Sequence, residues 1–234
     1  MEFYTQDQMN INVSVILPIY KQVAHVEFLV NEYLKAFETY PEKWEIIFVV
    51  NGPDDGSYLK LTEITKDIKE ISVFNIDNDG WGRAVKYGIS KANGQFICYT
   101  NSSRTKVSDL LMILHYAKVN DNNVVKANRF IRDGYSRKIG SLLYNLENRV
   151  LLNTLTMDVN ATPKVFPARI IKSMNILSDN DLIDAEILAR CFKQKIPIIE
   201  VPIYFNERIS GRSSTNISSA LRMYWGLFKL RKKI

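Results

Sequence analysis

Short apolar runs alternate with longer stretches of helical spacing along most of the chain. Val13–Leu17 is a β-branched run closed by Pro18, and helical spacing follows over Val23–Tyr40. Trp44–Val50 is a second apolar run, ended by the turn cluster Asn51-Gly-Pro-Asp-Asp-Gly56. Beyond it the pattern predicts helix over Leu59–Lys69, strand over Ile71–Ile76 and helix over Trp81–Asn93. Strand over Gln95–Thr100, helix over Val107–Val119 and strand over Asn123–Asn128 complete the regular part. Strands that are apolar throughout are covered on both faces. Alternation with helices, joined by right-handed crossovers, predicts a doubly wound, mostly parallel α/β sheet flanked by helices.

The rest of the chain is less regular. Arg137–Leu155 predicts a helix with Leu142, Leu143, Leu146, Val150 and Leu151 on one apolar face. Helix over Asp181–Lys193, strand over Pro197–Ile203, a polar loop over Asn206–Thr215 and helix over Ile217–Leu230 follow. With no repeat, low-complexity tract or linker, one domain over 1–234 is expected, with 214–234 forming a basic amphipathic C-terminal helix. Open α/β sheets bind ligands outside the carboxyl ends of their strands. The loops beginning at Pro18, Asn51, Asp77, Asn101, Arg129 and Phe205 are therefore where function is sought.

Composition narrows the partner. The 234 residues suit one large α/β domain, and 46% hydrophobic content supplies its core. Lys and Arg number 31 against 25 Asp and Glu, a net +6 that favours an anionic partner: a nucleotide, a phospholipid surface or nucleic acid. Nucleic acid comes last, because no motif interleaves aromatic and basic residues. Cys98 and Cys191 lie far apart in apolar runs and read as buried free thiols. Two histidines and no close cysteine spacing argue against zinc. The first ten residues lack the apolar core of a signal peptide, and no stretch matches the roughly 18 apolar residues of a spanning helix, so a cytoplasmic location is expected.

Three strand-end motifs suit a phosphorylated ligand. Leu17-Pro-Ile-Tyr20 stops a strand beside an aromatic ring that can stack on a base, or simply ends it. Val49-Val-Asn-Gly-Pro-Asp-Asp-Gly-Ser57 offers amides and carboxylates for a ribose or for capping the next helix. Asn78-Asp-Gly-Trp-Gly-Arg-Ala84 runs from strand to helix, continuing to Gly88 and Gly94, and its glycines permit close backbone approach or an ordinary turn.

Taken in order, these motifs resemble family 2 glycosyltransferases, in particular the dolichyl-phosphate mannose synthase-like branch. The family pattern N-x-G-x-G-x-A-x(3)-G-x(3)-A-x-G matches at Asn78, Gly80, Gly82, Ala84, Gly88, Ala92 and Gly94. Lys126-Ala-Asn-Arg129, Asp158 to Phe166, Glu200-Val-Pro202 and Arg208-Ile-Ser-Gly-Arg-Ser213 match later elements, so the resemblance spans about Val13 to Ser214. It implies a GT-A fold, Rossmann-like in its nucleotide binding. It also implies a pocket for a nucleoside-diphosphate sugar lined by Pro18, Tyr20, Gln22, Val49, Asn51, Asn101, Ser102, Ser103 and Ser213, with Arg129 and Arg208 meeting phosphates.

One departure stands out. Where the family carries its D-x-D metal motif, this chain has Asn101-Ser-Ser103. Magnesium or manganese, the cofactor the resemblance implies, prefers carboxylate oxygens, and both carboxylates are missing. Metal ligands drawn from Asp77, Asp79 or Asp184, a metal-independent transferase, and a noncatalytic nucleotide-sugar-binding protein all remain open. The expected catalytic residues are Asp184, a candidate base on the acceptor side, and Arg208, which would stabilise the leaving diphosphate. Asp181 shares the face of Asp184, and Glu186 turns away from it. The acceptor is either a sugar hydroxyl, which needs a carboxylate base, or a lipid phosphate, which does not and is somewhat favoured. The C-terminal helix is expected either to pack on the domain or to lie on an anionic membrane.

Overall fold

The computed structural model describes residues 11–131, 135–204 and 217–234. Every apolar run of the first half becomes a strand: β1 (Val13–Ile19), β2 (Trp44–Asn51), β3 (Ile71–Ile76), β4 (Phe96–Tyr99) and β5 (Val124–Ile131). Between and after them lie α1 (Val26–Phe37), α2 (Ser57–Thr65), α3 (Trp81–Lys91), α4 (Val107–Val119) and α5 (Tyr135–Leu152). Then come β6 (Lys164–Pro167), α6 (Ala168–Ser173), α7 (Ile183–Lys193), β7 (Ile198–Tyr204) and α8 (Ile217–Arg231).

The strands form one sheet in the order β3-β2-β1-β4-β6-β5-β7. All neighbours pair in parallel except β6, which is antiparallel to both β4 and β5. Sequence periodicity does not announce β6. It has four residues, begins with a charge and follows Pro163. Running backwards, it brings its first residue to the edge where its neighbours end, with Lys164 beside Tyr99 on one side and Lys126 on the other.

Helices cover both faces, as continuous apolar strands require. On one face Tyr33 and Phe37 of α1 and Leu110 and Ile113 of α4 share one core with Val15, Leu17, Phe48, Val125 and Val165 of the sheet. On the other, Val85 and Ile89 of α3, Ile171 of α6 and Ile187 of α7 close the core. Gly88 lets α3 lie directly on β1, since a Cβ there would overlap the Ile16 side chain. Cys98 and Cys191 are free, buried thiols.

The apolar stripe of α5 turns to solvent. Leu142, Leu143, Leu146 and Val150 face outward rather than into the core. The buried face carries Tyr144, Asn145, Asn148 and Leu152 instead. Burying an amide is costly unless it is bonded, and Asn145 meets that condition by donating to the Met157 carbonyl at 2.8 Å and accepting from the Val159 N–H at 3.1 Å. The helix α8 packs on α5 and α7 through Leu227 and Leu230. Among the described residues no helix is long and apolar enough to cross a membrane.

Candidate active site

The carboxyl edge of the sheet gathers most of the sequence-expected residues. Asn51 ends β2 and is buried, with its amide donating to the Ile19 carbonyl at 2.9 Å and its oxygen accepting from the Gly80 N–H at 3.4 Å. It thus ties the end of β1 to the start of α3. The half-exposed Tyr20 ring lies over Gly52, where a Cβ would come within 2.6 Å of the ring and where φ is +85°. Only glycine suits both conditions. Asp54 and Asp55 accept from the backbone N–H groups of Gly56 and Ser57 at the start of α2, and Asp55 also accepts from Val23 at 3.1 Å. These carboxylates fasten loops.

Two expected lining residues play other parts. Val49 is fully buried among Ile16, Ile47 and Ala84, so its side chain faces the core and not a ligand. Alternation along a strand sends neighbouring side chains to opposite faces, and Val49 falls on the α3 side. Pro18 contributes its carbonyl, which the Ser102 hydroxyl approaches at 3.2 Å. That hydroxyl also faces the Gln22 side-chain oxygen at 3.0 Å, and with one proton it serves one acceptor at a time.

The Asn101-Ser-Ser103 segment forms a closed turn. The Asn101 side-chain oxygen accepts from both the backbone N–H and the hydroxyl of Ser103, at 3.0 and 2.9 Å. Its polar atoms are neutral and mutually bonded, a poor donor set for a hard divalent cation. No group of three or more His, Cys, Asp or Glu gathers among the described residues. Asp77 and Asp79 are exposed, whereas Asp184 is buried elsewhere in an ion pair. Among the described residues, the donor set at this turn does not fit the metal the family implies.

The glycines of the third motif serve the chain's own backbone. A Cβ at Gly80 would come within 2.5 Å of the Asp179 carbonyl, and one at Gly82 within 2.6 Å of the Asn180 carbonyl. The Arg83 N–H, in the first turn of α3, donates to the Asp179 carbonyl at 3.0 Å. The 178–180 segment therefore covers the helix start that could otherwise receive an anion. Glu186, fully buried, holds the segment by accepting from the N–H groups of Leu177 and Ser178 and from Arg190.

Beneath the β4–β6–β5 part of the edge lies a group that sequence reasoning missed. Lys126 and Lys164 are both 0% exposed. Lys126 donates to Glu200 at 2.7 Å and to the Ala127 carbonyl at 2.8 Å. Lys164 pairs with Asp184, which also accepts from the Tyr99 hydroxyl at 2.8 Å. Arg129 grips the buried Asp158 with two bonds, at 2.7 and 2.8 Å. Burial pushes the Lys164 ammonium down to about 8, with Asp184 opposing the shift, and it lowers Lys126 likewise against Glu200. These residues stand in or beside the quoted family elements, but the sequence carried no signal of their pairing beyond a lysine inside each of two otherwise apolar segments.

That group revises two expectations. Asp184 is buried and committed to Lys164 and Tyr99, so it does not stand free as a base for an acceptor hydroxyl. Arg129 turns its guanidinium fork on Asp158, which takes the bidentate geometry a phosphate would use. Arg208 and Ser213 lie outside the described residues.

A doubly wound sheet with helices on both faces and a polar strand-end edge defines an open-sheet α/β protein whose ligand site lies outside the carboxyl ends of its strands. Residues 14–172 match Glycosyl transferase family 2, and the chain belongs to that family. It is 26% identical over 221 residues to the undecaprenyl-phosphate 4-deoxy-4-formamido-L-arabinose transferase of Pectobacterium atrosepticum, covering 92% of this chain and 66% of that protein. A protein of the same name from Aeromonas hydrophila is 23% identical over 222 residues, with the same coverage. The chain thus spans just under two thirds of the length of these relatives.

Among solved structures, it is similar to glucosyl-3-phosphoglycerate synthase from Mycobacterium tuberculosis. The complex with Mg2+ and UDP superposes with a TM-score of 0.74 at 12% identity, covering 100% of this chain and 85% of that one. The complex with Mn2+, UDP and glucosyl-3-phosphoglycerate gives 0.73 at 13%, covering 95% and 80%. Likeness at this identity establishes the GT-A fold.

Proposed function

We propose that this chain moves a sugar, with inversion, from a nucleoside-diphosphate sugar to a polyprenyl phosphate. The observation that carries this reading is the convergence of Tyr20, Gln22, Asn51 and the 101–103 turn on one sheet edge. The relatives named for an undecaprenyl-phosphate acceptor support the choice of lipid. A phosphate acceptor is already an anionic nucleophile near neutral pH, whereas a sugar hydroxyl needs a general base. With Asp184 occupied by Lys164 and Tyr99, the phosphate suits this site better.

The base and ribose would lie against Tyr20 and Asn51, and the diphosphate near the hydroxyls of Ser102 and Ser103. Charge developing on the leaving diphosphate would be offset by Arg208, and transfer would depend on divalent metal less than is usual for this fold. The reading takes 1–234 as one domain at the cytoplasmic face of a membrane. Binding and turnover of UDP-, GDP- and dTDP-sugars, each with and without manganese, test it. Tight nucleotide binding with turnover onto a polyprenyl phosphate is expected. Binding without turnover would favour a noncatalytic nucleotide-sugar-binding protein, and no nucleotide binding even at millimolar concentration would overturn the reading.

A further inference from the structure

We propose that the outward face of α5, together with the exposed rings of α8, docks on an anionic lipid bilayer. Leu142, Leu146 and Val150 recur every four residues and are 69%, 56% and 70% exposed. At 1.5 Å rise per residue they form a ridge about 12 Å long, with Leu143 beside it. Leu155 and Met157, just beyond the helix, are exposed as well. Over this stretch the helix is inverted relative to a packed surface helix: Asn145 and Asn148 face the protein, and Leu142, Leu143, Leu146 and Val150 face out. Contiguous exposed apolar surface of this kind marks an interaction site.

The helix α8 lies beside α5 and carries exposed aromatic rings of its own. Tyr224 meets Tyr144 edge-on at 5.9 Å and donates to the Gly140 carbonyl at 3.0 Å, so the two helices are joined. Trp225 is 70% exposed, with the exposed Phe228 ring 6.1 Å from it.

Charge selects the occupant. Among the described side chains of α5, α8 and the residues just after α8, Arg149, Lys229, Arg231, Lys232 and Lys233 are exposed, and the one acid is the half-buried Glu147. Apolar side chains ringed by lysine and arginine suit an interface with anionic headgroups. A second copy of the same face would bring like charges together, which disfavours a symmetric dimer. The proposal uses none of the sheet-edge residues and holds for any acceptor.

Flotation of the full chain with two kinds of vesicle tests it: phosphatidylcholine alone, and phosphatidylcholine containing phosphatidylglycerol. Binding to the anionic vesicles only is expected, with a blue shift of tryptophan emission as Trp225 leaves water. Leu142→Ser with Leu146→Ser should lower vesicle partitioning roughly tenfold or more, with melting temperature and nucleotide binding unchanged. Lys229→Glu with Lys232→Glu should also weaken it and reduce its sensitivity to salt. Equal partitioning to both vesicles, partitioning to neither, or wild-type behaviour of the leucine variant overturns the proposal. A dimer that the leucine variant converts to monomer overturns it in favour of a second copy.

Discussion

At the carboxyl ends of β1 and β2 and in the 101–103 turn, the polar contacts of Asn51, Ser102 and Ser103 run between neutral groups: amide to carbonyl, hydroxyl to amide, N–H to amide. Across β4, β6 and β5 the contacts are ionic, with Lys126, Lys164 and Arg129 facing Glu200, Asp184 and Asp158. A neutral hydrogen bond contributes only about 0.5–1.5 kcal/mol net, so the first region can exchange internal bonds for those of a ligand at small cost. Removing one partner of a buried ion pair costs about 3–5 kcal/mol. The charged region therefore holds one arrangement. Basic residues near a strand-end edge thus need not be phosphate ligands, since here three of them hold the back wall together.

The largest test of this contrast is Lys164→Met. It leaves Asp184 buried with only the Tyr99 hydroxyl, and chemical denaturation should read a loss of about 3–5 kcal/mol. Adding Asp184→Asn should restore most of it, because a neutral pair no longer strands a charge. The pH dependence has a defined sign. Burial holds Lys164 near 8 against an ordinary 10.5, so between those values the unfolded chain binds more protons than the folded one. This group should raise stability as pH climbs through that window, and the variant should lack the gain.

Next comes Arg129→Ala. It leaves Asp158 without its bidentate partner, but Arg129 is nearer the surface, so about 2 kcal/mol is expected. Asp158→Asn in the same background should recover part of it. A variant that keeps full stability while losing tenfold in turnover would break the comparison and return Arg129 to the phosphate.

Asn51→Ala probes the neutral region. Losing its bonds to Ile19 and Gly80 should cost about 1–2 kcal/mol and weaken nucleotide binding, as read by calorimetry. Asn101→Asp should have the smallest structural effect, within about 0.5 kcal/mol, because a carboxylate accepts the same two bonds from Ser103. It should nevertheless make nucleotide binding respond to manganese, where the native turn responds weakly. Unchanged binding with and without manganese in the variant would show that charge at this position is not what limits the metal.

Most of the fold was legible in the amino-acid order. Strand β3 and helix α4 fall on their expected bounds, and the other expected elements differ by at most a few residues at their ends. These features depend on neighbours: apolar runs, helical spacing and turn residues act over a few positions, where the chain carries its own signal. The strand-end loops were legible for the same reason, and the missing metal carboxylates through the resemblance to the family pattern. The backward strand β6 was not, because four residues gain strand geometry only from β4 and β5 on either side.

Side-chain commitments were likewise decided in three dimensions. Lys164 meets Asp184 across 20 positions, Arg129 meets Asp158 across 29 and Lys126 meets Glu200 across 74, distances over which local pattern says nothing about pairing. Periodicity found the leucine stripe of α5 but could not say which way it faced. Amphipathic spacing defines a face, and only the packing of Tyr144, Asn145 and Asn148 against neighbouring segments determined that the stripe would turn to solvent.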